Sequence, residues 1–166
     1  MDIIFPENLL PRKMLEEVVR YLESENIILL TGARQTGKTS MLYLLIRHLL
    51  KSGVPPSGIF YFDLENIHDF NLINGLKDFN DFWSVLKDNG WAGQDRVYVF
   101  IDEIQHLDRP SSFLKYLYDH YKPRLKFIVT GSSSLEIKKK FTDRLTGRVF
   151  RFNVRPLDFQ EFLQFR

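Results

Sequence analysis

Three groups of residues in this chain have the types and spacing to do chemistry. The first is Gly32-Ala33-Arg34-Gln35-Thr36-Gly37-Lys38-Thr39-Ser40, a G-x-x-x-x-G-K-T pattern. Apolar Ile27, Ile28, Leu29 and Leu30 lead into it, and Met41, Leu42, Leu44, Leu45 and Leu49 follow at helical offsets. Strand, glycine turn and helix are the context that such a motif requires. The turn exposes successive backbone N–H groups, and the helix N-terminus adds unpaired donors and a positive dipole end. Residues 32–40 are thus expected to wrap phosphates. Lys38 should reach the β- and γ-phosphates, and the Thr39 hydroxyl should bind Mg²⁺.

The second group closes a hydrophobic run, Val97-Tyr98-Val99-Phe100-Ile101-Asp102-Glu103. A strand ending in adjacent acids can bring Asp102 to Mg²⁺ beside Thr39. Side chains alternate along a strand, so Glu103 points elsewhere and can orient and deprotonate an attacking water. The third group, Thr130-Gly131-Ser132-Ser133-Ser134, ends another apolar run, with Thr130 or Ser132 placed to sense the γ-phosphate or the water. A serine nucleophile is disfavoured, because no G-x-S-x-G elbow accompanies these hydroxyls. Asp63 or Glu65, after Ile59–Phe62, could reach the Mg²⁺ shell or simply be a polar strand end.

To position these groups the chain needs a sheet whose strands end on one edge. Strands are expected near 27–31, 59–63, 97–101, 126–130 and 149–153. Helices are expected over 11–24, after the glycine turn to about Lys51, in two short pieces between 70 and 96, and from Pro110 to Tyr121. Trp83, Trp91, Tyr116, Tyr118 and Tyr121 read as packing residues. Asp158 with Glu161 three residues on has capping-box spacing and should open a last helix. The aromatic face of that helix leads us to expect a core over residues 1–155, with 156–166 beginning a truncated helix or a linker to an absent region.

Composition narrows the field. The 166 residues are 44% hydrophobic, enough for one core and too few for two comfortable domains. A formal charge of +2 neither demands nor excludes nucleic acid. There is no cysteine, which removes disulfides and thiol chemistry, and the four histidines are scattered. No apolar run reaches transmembrane length and the first residues lack signal-peptide flanks, so the expectation is a soluble cytoplasmic protein. The basic stretch with Lys138, Lys139, Lys140, Arg144 and Arg148 has three readings. It could be a solvated face, a source of a phosphate-sensing arginine (Arg144 or Arg148), or a nucleic-acid contact. Arg12 could face nucleotide or be plain surface.

Taken together, T-G-A-R-Q-T-G-K-T-S at 31–40, F-I-D-E-I-Q at 100–105, T-G-S-S-S at 130–134, L-T-G-R-V-F at 145–150 and R-P-L-D-F-Q-E-F-L at 155–163 span nearly the whole chain. In these motifs it resembles the N-terminal ATPase domain of a bacterial and archaeal group within the AAA-type P-loop ATPases. Members of that group carry a poorly characterised C-terminal region. The resemblance implies an α/β fold, a three-layer P-loop NTPase sandwich on a mostly parallel five-stranded sheet of order 5-1-4-3-2. It also implies ATP rather than GTP, with Mg²⁺. Lys38, Glu103, Thr130 and Arg148 match catalytic positions, Gly32 to Ser40 the nucleotide loop, and Thr39 and Asp102 the metal ligands. The expected activity is ATP hydrolysis that drives change in an attached C-terminal domain or a protein partner. A nucleotide switch with negligible turnover and a DNA-associated ATPase component are the alternatives.

Overall fold

A computed structural model describes residues 3–93, 96–132 and 145–163. Five strands, β1 (Ile27–Gly32), β2 (Ile59–Asp63), β3 (Val97–Asp102), β4 (Leu125–Ser132) and β5 (Val149–Asn153), form one sheet of order β2-β3-β4-β1-β5. All the pairings are parallel. This is the expected order read from the other edge. The central strands are almost wholly buried, as continuous apolar runs in a parallel sheet must be when both faces are covered.

Alternation along β1 divides the core. Ile27 and Leu29 face a cluster built on α3 (Ile67–Asn74), α4 (Phe82–Asp88) and α5 (Pro110–Tyr121). Ile28 and Leu30 face a second cluster built on α1 (Met14–Val19) and α2 (Lys38–Lys51). On β3, Tyr98 and Phe100 belong to the α2 side. The same alternation carries Asp102 to that side, toward the start of α2. The Trp83 and Trp91 rings meet at a tilt, 5.1 Å apart, against the first core, with the Arg124 guanidinium over the Trp83 ring.

Two helix boundaries differ from expectation for identifiable reasons. Helix α1 covers 14–19 rather than 11–24. Beyond Val19 the backbone tightens into i→i+3 turns, with Tyr21 N donating to Val18 O and Leu22 N to Val19 O, both at 3.0 Å. Cations from other parts of the chain hold the carbonyls that follow. Arg96 donates to Leu22 O, Glu23 O and Ser24 O, while Lys126 donates to Tyr21 O, Ser24 O and Asn26 O. Helix α3 starts early because Asn66 caps it, its side chain accepting from His68 N at 2.9 Å. Residues 65–68 are exposed, whereas Asp69 is buried and accepts from Asp63 N at 2.9 Å. Helix α6 (Phe159–Leu163) opens with the expected reciprocal cap. Asp158 N donates to Glu161 Oε2 at 3.0 Å, and Glu161 N to Asp158 Oδ1 at 2.8 Å.

Candidate functional site

Strand β1 ends at Gly32, a position where nothing larger fits. A Cβ there would lie 2.4 Å from Val154 O and 2.8 Å from Thr36 Oγ1. The chain then folds over itself, with Thr36 Oγ1 donating to Ala33 O at 3.0 Å and Gln35 at a φ of 63°. Gly37 takes a φ of 89° and caps α2, a left-handed conformation that favours glycine. The next residue, Lys38, is almost fully buried. Its ammonium donates to Ala33 O at 3.2 Å and lies 3.4 Å from Glu103 Oε1.

Across the sheet edge, Asp102 is the hub of a hydroxyl network. Its Oδ2 accepts from Thr39 Oγ1 at 2.6 Å and from the Tyr61 hydroxyl at 3.3 Å, and its Oδ1 accepts from Thr130 Oγ1. Burial raises the Asp102 pKa; the Thr130 and Thr39 hydrogen bonds oppose that, while the Glu103 and Asp63 charges reinforce it. Tyr61 is held protonated by burial first and by the Asp102 charge second. Glu103 adopts a left-handed backbone (φ 52°), and its amide donates to Thr130 Oγ1 at 2.8 Å. Its Oε2 accepts from Gln105 Nε2. One threonine hydroxyl thus fixes both acids.

These groups border a cavity of about 730 Å³ lined by Arg34, Gln35, Gly37, Lys38, Thr39 and, opposite them, Glu65, Glu103, Gln105, His106 and Ser132. The structure brings Lys38, Thr39, Asp102, Glu103 and Thr130 together. Gly32, Ala33, Thr36 and Ser40 build the loop and the first turn of α2 behind the cavity wall. Thr130 is fully buried and spends its hydroxyl on the two acids, so Ser132 is the β4 hydroxyl at the wall. Asp63 pairs in register with Asp102 and accepts from Glu65 N at 2.9 Å, leaving Glu65 as the second-strand acid at the cavity.

Arg148 is not brought there. It precedes β5, and its carbonyl accepts from Ile27 N at the opposite edge of the sheet, roughly 17 Å along β1 from Gly32. Its guanidinium clasps Asp119 at 2.7 and 3.2 Å. That contact, chiefly through its hydrogen bonds, lowers the Asp119 pKa. The placement rules Arg148 out of this chain's own cavity, because a parallel strand presents its two ends to opposite edges. Ser133, Ser134, Lys138, Lys139, Lys140 and Arg144 lie outside the described residues.

Two site residues were missed by the sequence reading. Tyr61 stands in an apolar run, but two-residue alternation puts it on the same face as Asp63, beside Asp102. Gln105 enters the sequence analysis only as the last residue of the F-I-D-E-I-Q motif. Its Oε1 is buried with no hydrogen-bond partner among the described residues, which is the condition of a group that takes water.

The AAA_14 family model, described as an AAA domain, matches residues 24–163. An uncharacterized protein of Haemophilus influenzae is 24% identical over 149 residues, covering 90% of this chain and 36% of that protein. Another, from Methanocaldococcus jannaschii, is 30% identical over 136 residues, covering 81% of this chain and 27% of its own length. The chain therefore spans only about a third or less of these relatives. Among solved structures, the Aeropyrum pernix ORC1 protein in complex with DNA superposes with a TM-score of 0.68 at 16% identity, over 96% of this chain and 49% of that one. At that identity the likeness is one of fold, that of a P-loop NTPase-like α/β sandwich.

Proposed function

The chain belongs to the AAA domain family matched over residues 24–163, and on that premise we propose that it binds ATP with Mg²⁺ and hydrolyses it. The observation that carries the proposal is the convergence of a glycine loop, a buried lysine, a threonine–aspartate pair and a second acid on one cavity. Thr39 and Asp102 offer hard oxygens 2.6 Å apart, a donor set that suits Mg²⁺, which takes one or two protein oxygens with phosphates and water. Bound there, the ion would neutralise charge on the β- and γ-phosphates.

The chain's own residues do the rest. Loop amides and Lys38 hold the phosphates, and they stabilise negative charge that grows on phosphoryl oxygens. As Lys38 turns from Glu103 to phosphate, the Glu103 carboxylate is freed to accept a proton. Gln105 holds Glu103 by one end of its amide and offers its unpartnered Oε1 to the water. That water forms a bond to the γ-phosphorus, the bond from phosphorus to the β-bridging oxygen breaks, and ADP and phosphate depart. Thr130 acts by fixing Asp102 and the Glu103 backbone, and Ser132 takes the place facing phosphate. Preference for adenine rests on family membership, as does coupling of turnover to a C-terminal region or protein partner. The DNA-associated alternative rests on the basic cluster at 138–148, whose lysines and Arg144 lie outside the described residues, and a fold likeness adds nothing to it.

Glu103→Gln separates a hydrolase from a nucleotide-gated binder. It should keep Mg-ATP affinity while steady-state phosphate release falls by about a hundredfold or more. Undiminished release would remove Glu103 from the role of base.

A further inference from the structure

Arg12 lies behind the glycine loop, and nearly all of it is buried. Its guanidinium makes three hydrogen bonds to three separate places. Nη1 donates to Thr36 O at 3.0 Å, Nη2 to Arg155 O at 2.6 Å, and Nε to Glu161 Oε1 at 3.2 Å. It also fills the space under Gly37, where a Cβ would lie 2.8 Å from Nη1. Thr36 O and the Gly37 N–H belong to one peptide unit. A cation on the outward oxygen fixes that plane and polarises the inward N–H.

Glu161, at the other end, is equally committed. Its Oε1 also accepts from Lys13 N at 3.0 Å, and its Oε2 belongs to the α6 cap. Burial works against its charge, but the Asp158 and Lys13 amides and the Arg12 guanidinium prevail and hold its carboxyl below the ordinary range. Among the described residues helix α6 spans Phe159–Leu163 and leaves Phe159, Phe162 and Leu163 exposed, so little apolar burial holds this stretch. Its attachment therefore depends on polar contacts, with Arg12–Glu161 the buried one. Lys13–Asp158, at 2.7 Å, is exposed to solvent and contributes less.

We propose that Arg12 is the positioning residue of the phosphate loop and that its fork links the loop's nucleotide state to the docking of α6. The link rests on the reading of residues 32–39 as a nucleotide site. A guanidinium is required because a lysine carries the charge as a point and cannot reach three acceptors in one plane. The linkage is reciprocal: whatever tightens the loop on nucleotide steadies α6, and whatever steadies α6 favours nucleotide.

The test uses the 166-residue chain, with Mg-ATP affinity read by calorimetry and amide exchange over residues 158–163 read by mass spectrometry. In the wild type, Mg-ATP should slow that exchange. Arg12→Lys should bind about tenfold more weakly and lose the response, although the charge is kept. Glu161→Gln leaves the Thr36 and Arg155 contacts in place and should lose the exchange response. Wild-type affinity in Arg12→Lys, or a wild-type response in Glu161→Gln, overturns the inference while leaving the nucleotide reading intact. Should Arg12→Lys fail to fold, the Glu161→Gln response decides alone. A wild type that binds no Mg-ATP overturns both.

Discussion

Buried charge in this molecule is placed by what its partners can supply. Asp102 is tolerated because three hydroxyls donate to it. Lys126, fully buried under the start of β1, is tolerated because it donates to Tyr21 O, Ser24 O, Ser24 Oγ and Asn26 O. The two are not equal in cost. Burial, followed by the nearby Arg96 charge, pulls the Lys126 pKa from 10.5 down to about 7. Between those values the unfolded chain holds more protons than the folded one, so stability rises with pH across the window and is lost as pH falls toward 7. Denaturant unfolding followed from pH 7 upward should show this slope, at most about 1.4 kcal/mol per pH unit for one group. Lys126→Met should flatten it while lowering stability by about 1–3 kcal/mol, because the carbonyls lose their donor. An unchanged slope in the variant would show that Lys126 does not titrate there.

At the scale of elements, the loop between β1 and α2 is shaped from behind as much as by its own residues. Val154 N donates to Thr31 O at 2.6 Å, which seats the segment after β5 against Gly32. Gly32→Ala would drive a methyl into the Val154 carbonyl, a backbone atom that cannot swing aside as a side chain can. Stability should fall by about 1–3 kcal/mol, with nucleotide affinity falling alongside. Thermal unfolding within error of the wild type would contradict the tight seating. Much of this element was legible in sequence, since the glycines, lysine and apolar flanks specify a strand–turn–helix locally. The arginine beneath it was not, because Arg12 and Thr36 are distant in sequence and no periodicity joins them. The turned path after helix α1 was hidden for the same reason: Arg96 and Lys126, which hold the carbonyls of residues 21–26, lie on other parts of the chain.

For the whole molecule, the parallel sheet gathers chemistry on one edge and leaves structural ties on the other. Lys38, Thr39, Asp102, Glu103 and Ser132 stand where strands end; Arg96, Lys126 and the Arg148–Asp119 pair stand where strands begin. Strand direction was readable because buried runs ending in polar residues declare it, whereas strand order came with the family resemblance. Arg148 was misplaced because a motif can mark a residue without saying which edge it occupies. Among the described residues no helix is long and apolar enough to cross a membrane. The central claim is that one edge of this sheet grips a triphosphate through Lys38. Calorimetric titration of Mg-ATP into wild type and Lys38→Ala tests it most directly. Saturable binding by the wild type, weakened about thirtyfold or more in the variant, is the expected result; equal affinity in the two proteins would contradict it.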